Sequence, residues 1–245
     1  MANLNPKLRT VQKVKPPFDL NEFPKGFISN LGRELAYAMA TKLSYDLQGS
    51  EWEEIFANCV GAKWKPSNVG LDDVVLGNCC WGAKTVKSAS IRTQKRVRLI
   101  SGRNSPKYSF GDSHYLSADP NSLGEQVLAI WNERVSAVRK EYKFVRTVVL
   151  MKGKNFDEFA IFEFDTQRYE HELYTWKWNS RENLEGFDAK GKHCFTWQPH
   201  GSQFTIVEDI PSDTLYISIT KPPLLKKEDV LSAMKYKDSW VKILK

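Results

Sequence analysis

The sequence predicts an α/β (α+β) fold, a mixed β-sheet flanked by helices within a single domain. Three observations carry this expectation. Two amphipathic helical stretches come early. Strand-like segments then lie on both sides of a third, stronger helix. No internal repeat or low-complexity tract divides the chain. A length of 245 residues suits one large domain with appendages. The longest apolar runs are a few residues, far short of the ~20 that span a bilayer.

The opening "MANLNPKLRTVQKVKPPFDL" is polar and contains proline, without the apolar centre of a signal peptide. It is expected to be an extended arm, residues 1–25, ahead of a domain at 26–245. Phe27, Ile28, Leu31, Leu35, Met39 and Leu43 fall near helical spacing and predict a helix over 29–47. Ser50 and Glu53 have the spacing of a capping box for a second helix, whose buried stripe would be Trp52, Ile55, Phe56 and Cys59. "DVVL" and "CCWGAK" read as strands about the turn Gly77-Asn78, and "SIRTQKRVRLI" as a third. "SGRNSPKYSFGDSHYLSADPNS" reads as a long loop, a kind that tends to be functional.

"SLGEQVLAIWNERVSAVRKEY" is the strongest helix. Ser122 and Glu125 form its expected cap, and Leu123, Val127, Ile130, Trp131, Val135 and Val138 its apolar face. Strands follow at "FVRTVVLMKG", "EFAIFEFDT" and "YTWKWNS". A strand pair "CFTWQPHGSQFTIVED" turns at Pro199-His200-Gly201, "TLYISITK" is a further strand, and "KKEDVLSAMKYKDSWVKIL" is a closing amphipathic helix.

Charge narrows the function. The net charge is +7, and from Val74 to Gly111 there is no Asp or Glu. That segment holds Lys84, Lys87, Arg92, Lys95, Arg96, Arg98, Arg103 and Lys107, so the rest of the chain has 28 bases against 29 acids. A polyanionic partner explains such concentration, because each neutralised phosphate releases counterions. Cys59, Cys79, Cys80 and Cys194 contain no CxxC pair, which argues against structural zinc. With no secretion signal, reduced thiols in a cytoplasm are the expectation. No Walker loop, GxGxxG, GxSxG or HExxH occurs, which excludes the commonest nucleotide-cofactor, serine-hydrolase and zinc-protease signatures.

The chemistry concentrates in "DDVVLGNCCWGAKTVK", residues 72–87. A two-residue Gly77-Asn78 loop sets Leu76 opposite Cys79, Val75 opposite Cys80 and Asp73 opposite Gly82. Side chains alternate along a strand, so Asp73, Gly82 and Lys84 share one face, while Asp72 points the other way. A carboxylate and an ammonium at one spot suit phosphodiester hydrolysis. The carboxylate holds a divalent metal that activates water, and the lysine orients that water or stabilises the transition state. Mg2+ fits best, since it favours carboxylate, water and phosphate oxygens.

This arrangement resembles the PD-(D/E)XK nuclease superfamily, to which many type II restriction endonucleases belong. The resemblance covers about residues 30 to 100 and implies a restriction-endonuclease-like fold. It implies Asp73 as the first acid, Lys84 as the catalytic lysine, and a metal held by Asp73 and an acid of the preceding helix, Glu54 or Glu53, with Glu34 a further candidate. Leu71-Asp72 stands where the family has its proline. One departure is plain: the position two before the lysine is acidic in the family, and here it is Gly82. Glu53, Glu54 and Glu125 are candidates for a relocated acid.

The expected reading is therefore a Mg2+-dependent, sequence-specific endonuclease acting on double-stranded DNA, with a homodimer expected because duplex cleavage needs two cuts. The segment 92–107 would grip the backbone, with Arg103, Asn104, Ser105 and Lys107 on the loop nearest the bases. Gln198, His200 and Gln203, on the turn "WQPHGSQF", form a second candidate reader. Trp176, Trp178 and Arg181 offer stacking surfaces. Two alternatives remain from the residues: a DNA-binding protein of the same fold that does not cut, which Gly82 suggests, and an RNA-directed nuclease or binding module, which the aromatic second half suggests.

Overall fold

A computed structural model of the chain describes residues 14–42, 46–66, 70–111 and 115–244. Two helices lead, α1 (Phe27–Thr41) and α2 (Gly49–Val60). The short edge strand β1 (Lys63–Trp64) precedes the hairpin β2 (Val74–Leu76) and β3 (Cys79–Ser88). Then come β4 (Arg96–Arg103), the short α3 (Pro106–Phe110) and the long α4 (Pro120–Glu141). The remaining strands are β5 (Phe144–Gly153), β6 (Glu158–Asp165), β7 (Tyr174–Trp178), β8 (Leu184–Asp188), β9 (His193–Gln198), β10 (Gln203–Asp209) and β11 (Leu215–Ser218), followed by α5 (Lys227–Ala233).

The mixed α/β class is as the sequence predicts, but the strands form two sheets. One has six strands in the order β1-β2-β3-β5-β6-β11, and the other five in the order β4-β10-β9-β8-β7. In the first, β3 and β5 run parallel over ten residue pairs, and every other pairing is antiparallel. The basic strand β4 does not join the hairpin; it pairs antiparallel with β10 at the edge of the second sheet.

Burial follows from the patterning. Leu31, Leu35 and Met39 of α1 and Trp52, Ile55 and Phe56 of α2 cover one face of the first sheet at Trp81, Val148 and Ile161. The other face packs against α4 and the second sheet, joining Cys80 and Val145 to Val127, Trp131 and Val135 and to Phe195, Trp197 and Phe204. Where α4 ends its cover, the sheets meet directly through Val97 and Leu99 against Val149, Met151 and Phe162. The helix can approach the second sheet because Gly124 has no side chain: a Cβ there would stand 2.3 Å from the Trp176 ring.

The helices correct several expectations. Helix α1 ends at Thr41 rather than 47, and Leu43 lies outside the described residues. Helix α2 begins at Gly49, so Glu51, not Glu53, caps it by accepting from the Gln48 N–H at 2.7 Å. Helix α4 begins two residues earlier than its expected cap, at Pro120, with Asp119 accepting from the N–H groups of Asn121 and Ser122. The closing helix is only seven residues, with no buried residue. Strand β8 was not expected from the sequence. The expected long loop holds the end of β4 and α3, and its residues 112–114 lie outside the described residues.

The expected N-terminal arm is a docked segment where it is described; residues 1–13 lie outside the described residues. Phe18 stacks on Trp81 with centroids 5.6 Å apart. Asn21 exchanges hydrogen bonds with Glu163, its N–H donating to Oε2 at 3.1 Å and its Oδ1 accepting from the Glu163 N–H. Glu163 is fully buried and pairs with Arg146 at 3.2 Å while accepting from the Trp81 indole N–H; Arg146 also donates to the Phe18 carbonyl at 3.0 Å. This charge pair ties arm, hairpin and central strands together. Removing one partner strands the other in the core, so Glu163→Ala should lower unfolding stability in urea by about 3–5 kcal/mol, with Glu163→Gln less damaging.

Candidate functional site

The tight turn at Gly77 (φ 57°) fixes the hairpin register. Leu76 faces Cys79, Val75 faces Cys80 and Val74 faces Trp81, as the two-residue loop requires. The next step outward sets Asp73 beside Gly82. The Ala83 N–H donates to Asp73 Oδ2 at 3.4 Å, and the Lys65 N–H donates to the Asp73 carbonyl at 2.7 Å, anchoring the residue at both ends. Asp72 turns away and accepts from Lys65 Nζ at 3.2 Å.

Gly82 has a positive structural reason to be glycine. The chain bends at Gly70 (φ +68°) and lays its backbone over β3, where a Cβ on residue 82 would meet the Gly70 carbonyl oxygen at 2.7 Å and Leu71 Cα at 3.1 Å. The space that the family's second acid would use is thus filled by main chain. The same carbonyl accepts from Lys84 Nζ at 3.3 Å.

The charges around Asp73 form one group. Burial pushes its carboxyl up, Lys84 pulls it down and Glu53 pushes it up again, leaving it at about 6. Burial likewise pulls the Lys84 ammonium below the ordinary lysine value, against the attraction of Asp73 and Glu53 and with added repulsion from Arg134. Arg134, on α4, is itself lowered by burial against the pull of Asp73. Its Nη1 donates to the Ser101 carbonyl at 2.6 Å and to Asn104 Oδ1 at 3.3 Å, so it joins the wall holding Asp73 and Lys84 to the end of β4.

The helix acid facing this group is Glu53, which accepts from the Trp64 indole N–H at 3.1 Å. Glu54 is exposed and is not among the charges that act on Asp73 or Lys84, contrary to its expected place at the metal. Glu125 is drawn off to His171 at 3.5 Å, and Glu34 acts on Cys59 between α1 and α2. Among the described residues no three His, Cys, Asp or Glu side chains are placed to hold a metal ion. Asp73 and Glu53 are hard oxygen donors, and magnesium commonly binds through one or two carboxylates with water and substrate oxygens. The donor set fits that ion. The buried thiols do not compete as nucleophiles: burial pushes Cys59 and Cys79 up to about 12.

The eight bases of the acid-free segment are spread over several places. Lys84 belongs to the site. Lys87 pairs with Asp46 at 2.8 Å, and Arg96 with Asp209 at 3.1 Å while also donating to the His193 carbonyl. Arg92 lies 5.3 Å over the Tyr216 ring, and Arg98 donates to Thr196 Oγ1 at 3.0 Å. Arg92, Lys95, Arg98, Arg103 and Lys107 are exposed and make no ion pair among the described residues.

Asn104 is not placed to read bases. It is fully buried, its Nδ2 donates to the Val127 carbonyl at 2.9 Å, and its own carbonyl accepts from the Trp197 indole at 2.7 Å. Ser105 caps α3. Gln198 and Gln203 face each other, half-buried, where β9 meets β10, with exposed His200 on the turn between.

Arg134 is the member of the candidate site that the sequence analysis did not single out. The signal was there: it falls at helical spacing from Val127, Trp131 and Val138, a charge inside an apolar stripe. No family model, no curated protein and no solved structure matches this chain.

The raised Asp73 carboxyl predicts a pH dependence. The unfolded chain loses this proton near its ordinary 3.8 and the folded chain only near 6, so ionisation weakens the fold as pH rises between them, and the full penalty stands above. Asp73→Asn, which mimics the protonated acid, should therefore gain up to about 3 kcal/mol in urea unfolding at pH 8, with the gain shrinking toward zero near pH 4.

Proposed function

We propose that the chain is a Mg2+-dependent endonuclease of restriction-endonuclease-like fold that hydrolyses double-stranded DNA. The observation that carries this reading is the shared wall of Asp73, Lys84 and Glu53. The order of elements supports it: a helix, the hairpin β2–β3 bearing Asp73 and Lys84, then α4 and a strand, β5, parallel to β3.

Asp73 and Glu53 would hold the metal, which supplies an activated water and neutralises charge on the phosphate. Lys84, fixed by the Gly70 carbonyl and depressed by burial, orients the attacking water and stabilises the developing negative charge. Arg134 adds a second cation on the same wall, held by two acceptors so that little reorganisation is needed. Exposed Arg103, at the end of β4, and Lys107, on α3, would contact the backbone, with Arg92, Lys95 and Arg98 available to flanking phosphates. Cutting both strands requires a second site, which a homodimer would provide.

A second reading is favoured by one observation. Main chain occupies the space of the missing acid at Gly82, so the fold could bind DNA and not cut it. A plasmid digest separates the two. Mg2+-dependent fragments that vanish with EDTA and fall at least about 100-fold in rate with Lys84→Ala are expected for the nuclease. Plasmid that shifts on a gel but stays intact with Mg2+ and Mn2+ would establish the binding protein, and preferential capture of single-stranded RNA would overturn both.

A further inference from the structure

A cleft of about 440 Å³ opens beside the edge strand β7, within the size range of small-molecule sites. Trp178 forms one wall, with Leu116 and Pro199 as its other apolar surfaces. Its polar rim is Arg181, Asn183 and His200 with Glu182, offering donors and acceptors beside the apolar surfaces. Arg181, Asn183 and His200 make no side-chain hydrogen bond or ion pair among the described residues, so their polar atoms are available to a ligand.

The rim is pre-organised. Asn179 Oδ1 accepts from the N–H groups of Arg181 at 2.9 Å and Asn183 at 3.0 Å, and its Nδ2 donates to Glu185 at 2.8 Å. This locks the turn in which Glu182 takes a left-handed φ of 58°. A turn stiffened in this way loses less freedom when a ligand enters.

The cleft also lies on the side of the second sheet that faces the candidate site. Trp178 pairs with Leu184, Leu184 with Trp197 and Trp197 with Phe204, and this row packs toward α4. The Trp197 indole donates to the Asn104 carbonyl, the Asn104 N–H donates to the Ser202 carbonyl at 2.8 Å, and Arg134 donates to Asn104 Oδ1. A continuous set of contacts thus joins the wall of Asp73 and Lys84 to the turn bearing His200.

We infer that this cleft receives one unstacked nucleobase of the bound DNA, stacked on Trp178 and held at its edge by Arg181, Asn183, Glu182 and His200. The base comes from a single-stranded stretch or is turned out of the duplex. This rests on the reading of the chain as acting on DNA. A base fits this chemistry better than a phosphate, because an indole, a leucine and a proline line the cleft and a carboxylate stands on its rim.

The test is fluorescence anisotropy in EDTA, with a single-stranded DNA oligonucleotide, an abasic strand of equal length and phosphate charge, and a duplex. The whole protein should bind the base-bearing strand about tenfold or more tighter than the abasic one. Trp178→Ala should remove most of that preference and leave abasic binding unchanged, and Trp178→Phe should keep part of it. If Trp178→Ala fails to fold, the exposed double variant Arg181→Ala with His200→Ala decides, and it should lose several-fold of the preference. An unchanged preference in the folded variants overturns the pocket, as does a wild-type chain that binds duplex yet shows no preference for bases. Binding to none of the three strands would defeat the DNA reading itself.

Discussion

A carboxyl and an ammonium share a desolvated wall of the first sheet, and much of the molecule is arranged to keep them there. Burial raises the Asp73 carboxyl and lowers the Lys84 ammonium, and the attraction between the two opposes both shifts. Each offsets part of the other's burial, and Glu53 and Arg134 set the remaining balance. The main chain completes the arrangement. The left-handed bend at Gly70 brings a carbonyl oxygen onto Lys84 and against Gly82, where no side chain fits. Charge held in such a place costs stability, and a cluster of shifted groups of this kind marks a candidate functional site.

Helix α4 sets what that wall faces. Its apolar stripe fills the space between the two sheets, and Arg134 interrupts the stripe where the hairpin, the end of β4 and the β9–β10 turn come together. The buried Glu163–Arg146 pair does the corresponding work on the other side, tying Asn21 and Phe18 to the central strands. The scaffold behind the hairpin is therefore tied at both faces, while Arg103 and Lys107 are exposed at the end of β4 and on α3.

What could be read in advance divides along physical lines. The hairpin register was legible because a two-residue loop leaves one pairing, and period-two alternation then assigns faces. The class, most strands and the long central helix were legible from periodicity. The second sheet was not: β4 alternates in the same way whichever sheet it joins, and only the tertiary choice of β10 as its partner separates the layers. Capping was misread by position, because Ser50 and Glu53 have the right spacing but Gln48 and Glu51 begin the helix. That frees Glu53 for the site and leaves Glu54 in solvent. Asn104 looked like a base reader from its neighbours Arg103 and Lys107, and only its complete burial shows that it braces Arg134 and Trp197.

The account turns on Asp73, Lys84 and Glu53 behaving as one electrostatic unit, and the most direct measurement is an NMR titration of the Asp73 carboxyl carbon in the metal-free protein. The wild-type chain should show an apparent pKa of about 6, the Glu53→Gln chain a lower one, and the Glu54→Gln chain no change. An ordinary aspartate titration in the wild type, or a value indifferent to Glu53, would contradict the account.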